Sequence, residues 1–193
     1  MDTSASFSSA LRSPASAGGF LNPDKIVFEF NIRQGMSIAD FGCGSGYFTI
    51  LAAQKVGSNG RVFALDVQES SLDSVRTKAK AAGVSNIETI RANLEVLGSS
   101  GLGDDSQDMV LIANVLFQSS KKENIFNEAH RVLKKDAQLV IVDWMRGSGG
   151  FGPPDNLRTD DIAMESLVAS AGFTFIKKID AGKFHYGLIF KKQ

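Results

Sequence analysis

Three glycines at alternate positions, Gly42, Gly44 and Gly46, follow directly on a short apolar run, Ile38 to Phe41, that carries Asp40. Behind them, Tyr47 to Val56 has helical spacing, with Phe48, Leu51, Ala52 and Val56 on one face. Strand, glycine loop and helix together bring bare backbone N–H groups to the edge of a sheet. Glycine accepts positive φ and has no Cβ to hold a ligand away, and a helix start adds unpaired donors and partial positive charge. The chemistry this suits is binding of a polar small molecule. A second apolar run, Arg61 to Asp66, ends in an acid 20 residues after Gly46, the spacing at which nucleotide folds set a carboxylate on a ribose hydroxyl. The competing role for Asp66 is to cap the next helix near Ser70. Asp40 reads as a loop-shaping acid, and Cys43 as a small residue packed in the loop rather than a reactive thiol. The dinucleotide fingerprint G-x-G-x-x-G puts its third glycine where this chain has Tyr47.

The 193 residues suffice for one domain with a substantial core. The expected organisation is a flexible segment or lid over residues 1–20, rich in Ser, Ala and Gly, followed by a single domain over 21–193. A formal net charge of zero offers no general grip on nucleic acid. Cys43 is the only cysteine, and His130 and His185 are the only histidines, so neither a disulfide nor a metal site is expected. No apolar run reaches the roughly 18 residues of a membrane helix, and no secretory signal is legible. The expected compartment is the cytoplasm.

The elements that must position the glycine loop follow in order. Asn22-Pro23 starts a helix expected to run to just before Gly35, with Ile26, Val27 and Phe30 inward. Glu69 to Ala82 is a helix closed by Gly83, Asn86 to Arg91 a third strand and Asp108 to Ala113 a fourth. Lys121 to Leu133 is an amphipathic helix, Lys134-Lys135-Asp136 a turn and Gln138 to Asp143 a fifth strand. A Gly/Pro-rich loop, Trp144 to Arg158, precedes a helix capped by Asp160 or Asp161 and stopped by Gly172. Phe173 to Ile179 and His185 to Phe190 form a closing hairpin. Alternating helices and strands require a mostly parallel α/β sheet covered on both faces. A terminal hairpin is not what a dinucleotide domain would add.

The array Asp40-x-Gly42-x-Gly44-x-Gly46 after an apolar strand resembles motif I of the class I S-adenosylmethionine-dependent methyltransferases. The resemblance continues through Val62 to Val67, Ala92-Asn93-Leu94, Asp108 to Leu116 and Leu133 to Asp143, and is nearest the ubiquinone/menaquinone-biosynthesis, small-molecule branch. It implies a Rossmann-like seven-stranded sheet of order 3-2-1-4-5-7-6 with a C-terminal antiparallel hairpin. It implies S-adenosylmethionine as cofactor, held by Asp40, Gly42, Cys43, Gly44, Gly46, Asp66, Val67, Asn93, Leu94, Ala113 and Asn114. In that arrangement the glycine loop wraps the methionine part and Asp66 takes the ribose hydroxyls. Val67 lies on the adenine ring, and Asn93-Leu94 cradles its edge. Many relatives carry Asp where this chain has Asn93, an amide that both accepts and donates.

The implied activity is methyl transfer to a small-molecule acceptor. Asp143, Trp144, Phe117 with its neighbour Gln118, and His185 are the acceptor-pocket candidates. His130, Arg146 and Arg158 read as solvated. Two rival readings are an NAD(P)-dependent oxidoreductase on a related sheet and an S-adenosylmethionine-binding protein without catalysis.

Overall fold

The computed structural model describes residues 21–193; the expected lid over 1–20 lies outside them. One sheet of seven strands carries the architecture, in the order β3-β2-β1-β4-β5-β7-β6. Its strands are β1 (Ser37–Phe41), β2 (Arg61–Asp66), β3 (Ile87–Arg91), β4 (Gln107–Ala113), β5 (Leu133–Trp144), β6 (Phe173–Ile179) and β7 (His185–Lys192). β1 to β5 pair in parallel, and β7 runs antiparallel to both β5 and β6. The helices are α1 (Pro23–Ile26), α2 (Tyr47–Val56), α3 (Glu69–Ala82), α4 (Lys122–Val132) and α5 (Asp161–Ser170).

The central strands are apolar at successive positions because both faces are covered. On one face Phe41, Val110, Ile112, Leu139 and Ile141 meet α4 and α5 through Phe126, Ala129 and Val168. On the other, Ile38, Met109, Leu111 and Val140 meet α2 and the segment around α1 through Ala52, Val56, Ile26 and Phe30. α3 lies beyond α2 and packs Leu72 and Val75 with Ala64 of β2. β1 pairs β2 on one side and β4 on the other, so successive connections leave it in opposite directions. An open α/β sheet binds its ligand in the crevice at that switch point.

The structure departs from the expected elements at two places. The helix expected from Asn22 almost to Gly35 is a single turn, Pro23–Ile26, capped by the Asn22 side chain. Asn31 takes a positive φ of 57° and breaks any continuation, yet Ile26, Val27 and Phe30 are buried as the periodicity demanded. The turn expected at Lys134-Lys135-Asp136 lies inside β5, which starts at Leu133 paired with Gln107. Asp136 holds the positive φ of 64° that its turn-like sequence favours, and the strand absorbs it as an irregularity.

Candidate functional site

At the switch point the carboxyl ends of β1, β2, β3 and β4 surround a cleft of about 590 Å³, within the range of small-molecule sites. Asp40, Gly42, Cys43, Gly44, Asp66, Val67, Asn93, Leu94, Ala113 and Asn114 all border it. Of the expected cofactor residues, Gly46 alone does not; it backs onto α3, with Val75 where its Cβ would go.

The glycine loop is held from behind. Gly42 and Cys43 donate to the Leu65 carbonyl at 2.8 and 2.9 Å, and Gly46 to the Cys43 carbonyl at 2.9 Å. Gly44 donates to Asp66 Oδ2 at 3.0 Å. The amides of Gly42, Cys43, Gly44 and Gly46 are therefore spent on the protein, and what the glycines themselves offer is close approach. Gly44, at φ +49°, would carry its Cβ into open space, whereas a Cβ on Gly42 would meet Val115 Cγ2 at 2.3 Å.

Asp66 accepts from Gln68 N at 2.9 Å through its other oxygen. A carboxylate has about four lone-pair sites, so each oxygen keeps one to offer a ligand hydroxyl. Asp40 is 2% exposed and accepts from the Thr49 hydroxyl at 2.5 Å. Burial pushes its carboxyl up to about 7, with the Thr49 hydrogen bond opposing and the Asp66 charge adding. Burial, reinforced by Asp40 and Asp66, drives the Cys43 thiol far above its usual range, so it is a packed thiol and no nucleophile.

Beyond the expected residues, Ser45, Tyr47, Ser71, Glu95 and Ile125 also border the cleft. Glu95 accepts from the Ser119 hydroxyl at 2.6 Å, and its N–H donates to Asn93 Oδ1 at 3.1 Å. The Asn93–Glu95 turn was legible as a strand end. The carboxylate of Glu95 is held by Ser119, which is distant in sequence. Three carboxylates, Asp40, Asp66 and Glu95, line the cleft, and no Lys, Arg or His does among the described residues.

The acceptor-pocket candidates fall elsewhere. Of Phe117 and Gln118, only Gln118 borders the cleft. Asp143 is buried and braces the chain, accepting from Leu116 N at 3.1 Å and Trp144 N at 2.7 Å. Burial raises its carboxyl to about 6 against those hydrogen bonds. Trp144 packs on His185, ring centroids 4.1 Å apart. Arg158, expected in solvent, is 5% exposed. Its guanidinium donates to the carbonyls of Met145, Phe151 and Pro153 and to the Ser148 hydroxyl. His130, also expected in solvent, is half-buried and meets the Phe173 ring edge-on at 5.3 Å.

Residues 32–168 match the sequence profile of a methyltransferase domain. The chain belongs to that family. It is 27% identical over 137 residues to an arsenite methyltransferase of Halobacterium salinarum, covering 71% of this chain and 34% of that protein. It is 30% identical over 116 residues to the ubiquinone/menaquinone biosynthesis C-methyltransferase of Klebsiella pneumoniae, covering 60% and 45%. The chain thus spans less than half the length of these curated relatives. A crystal structure of a SAM-dependent methyltransferase from Aquifex aeolicus superposes with a TM-score of 0.82 at 26% identity, covering 90% of this chain and 91% of that one. The family's cofactor is S-adenosylmethionine. The residues present fit it: the space beside Gly44 admits a ligand to the main chain, and the acid-lined cleft suits a sulfonium cation.

Proposed function

We propose that this protein transfers a methyl group from S-adenosylmethionine to a small-molecule acceptor. The observation that carries this reading is the charge of the cleft: the carboxylates of Asp66 and Glu95 border it, with the buried Asp40 beside them, and no cationic side chain does among the described residues. Such a lining attracts a sulfonium and an ammonium and repels the phosphates of a dinucleotide. Tyr47 in the third-glycine position argues the same way against NAD(P).

What the bound cofactor supplies is a methyl group already activated on sulfur. The chain's residues have to bind, orient and keep water out. Asp66 would take the ribose hydroxyls on its free lone pairs, and Val67 and Leu94 would flank the adenine. Gly42 and Gly44 would let the methionine part lie against the main chain, beside Ala113 and Asn114. No side-chain nucleophile is called for, and the acceptor decides whether a base is.

A small acceptor is supported by the absence of an inserted domain between the strands among the described residues and by the absence of net charge, which leaves nucleic acid without a general electrostatic attraction. Arsenite, the substrate named for one relative, would look for thiolates; this chain supplies one cysteine, buried and held protonated. Action in the cytoplasm is part of the proposal. No helix among the described residues is long and apolar enough to cross a membrane.

The test is binding followed by turnover. S-adenosylhomocysteine should raise the melting temperature and NAD should not. Asp66→Ala should weaken S-adenosylhomocysteine binding by about 10- to 100-fold, the range for a hydrogen-bonding partner that is charged. Transfer of label from methyl-labelled S-adenosylmethionine into a metabolite extract separates an enzyme from a mere binding protein. Stabilisation by NAD alone would reverse the assignment.

A further inference from the structure

The outer edge of the glycine loop has a partner that neither motif nor spacing pointed to. Lys78, half-buried on α3, sends its ammonium across to the loop. Lys78 Nζ donates to the Ser45 carbonyl at 2.7 Å and lies 3.8 Å from the centroid of the Tyr47 ring. Three residues earlier on the same helix face, Val75 fills the space behind Gly46, its Cγ2 2.8 Å from where a Cβ would stand. One face of α3 therefore grips the loop twice. Ser45 and Tyr47 both border the cleft, and Tyr47 is 46% exposed at its rim.

A lysine on a helix surface ordinarily pairs with a carboxylate or points to water. Arg76, two residues earlier, does the former, bonding Glu69 and Asp73 at 2.7 Å each. Lys78 instead lies against a carbonyl and an aromatic face, and its nearest described partners belong to the loop. The inner part of that loop is fixed by Leu65 and Asp66; the Ser45–Tyr47 corner is where Lys78 acts.

We infer that Lys78 is a positioning residue for the cofactor, a latch that fastens the Ser45 carbonyl and the Tyr47 ring to α3 and so shapes the rim against which the cofactor's methionine end rests. This rests on the methyltransferase reading. Fixing the corner before binding removes an ordering cost that would otherwise be charged against affinity. The Tyr47 ring, standing where the dinucleotide fingerprint has its third glycine, becomes a wall of the site because the ammonium holds its face.

The experiment is calorimetric titration of S-adenosylhomocysteine into the unaltered chain and into Lys78→Met, Lys78→Arg, Tyr47→Phe, Tyr47→Leu and the Lys78→Met/Tyr47→Leu pair. Melting temperatures are recorded separately. Lys78→Met should raise Kd by about tenfold, the scale of a charged hydrogen bond combined with a cation–π contact at a part-exposed site. Lys78→Arg should restore most of the affinity and Tyr47→Phe nearly all of it. Tyr47→Leu should weaken binding, and the double variant should bind no worse than the weaker single one. Strictly additive losses, or a lowered melting temperature with Kd unchanged, would overturn the latch while leaving the methyltransferase reading intact. Failure of the unaltered chain to bind S-adenosylhomocysteine would overturn both.

Discussion

Two regions along the same edge of the sheet bury polar groups in opposite ways. At the β1–β2 end, Asp40 and Asp66 each have a protein hydrogen-bond donor and border the cleft. At the β5–β7 end, Arg158 is consumed by the carbonyls of its own loop. Nearby, both ring nitrogens of His185 and the Tyr186 hydroxyl are buried without a partner. The first end is partly satisfied and open, which is the condition for a ligand to complete it. The second is closed over itself. Burial of a polar side chain marks a site only when lone pairs remain and face a space.

The sharpest way to break this contrast is a pair of glycine substitutions. Gly42→Ala should cost about 3 kcal/mol of stability, because its Cβ meets Val115 at 2.3 Å; thermal denaturation reads it, and a further Val115→Ala should return part of the loss. Gly44→Ala should cost only about 1 kcal/mol for its φ of +49°, yet weaken S-adenosylhomocysteine binding by about tenfold or more through steric exclusion. Unchanged binding by the Gly44 variant would mean that the open space is not where a ligand approaches.

Arg158→Met sharpens the other side. It should lower stability by about 2 kcal/mol, since several loop carbonyls lose their donor, while Kd for S-adenosylhomocysteine stays within about twofold. A collapse in affinity would join the two ends into one site.

The effects of pH run in opposite directions at the two regions. Asp40 has a folded value raised to about 7 from 3.8. Its contribution to stability is complete below pH 3.8 and lost as pH rises through 7. His185 has a folded value lowered to about 4 from 6.5, by burial first and then by the Arg158 charge. Its contribution is present above 6.5 and lost as pH falls through 4. Asp40→Asn should therefore gain melting temperature relative to the unaltered chain on going from pH 4.5 to 8. His185→Phe should gain on going from pH 7 to 4.5. Parallel profiles would remove the distinction between the ends.

The sequence was most readable where local chemistry and tertiary role coincide. Tyr47–Val56, Arg61–Asp66, Glu69–Ala82 and Phe173–Ile179 have the bounds that periodicity and breakers gave them. Family resemblance supplied the strand order, which spacing alone could not. Lys134-Lys135-Asp136 misled because a turn-like triplet can be held in a strand when Leu133 pairs across to Gln107. The glycine loop was legible as a site, but not the use of its amides, because the acceptors, Leu65 and Asp66, arrive from the next strand. Arg158 and Lys78 were unreadable for the same reason. Each is an ordinary surface-type cation until the fold brings it against backbone carbonyls.

The placement of β7 between β5 and β6 has a consequence for synthesis. β6 leaves the ribosome before the strand that attaches it, and among the described residues no other strand borders it. Until His185–Lys192 has emerged and inserted, the backbone donors and acceptors of β6 have no strand to pair with, an open edge of the kind that invites wrong pairing.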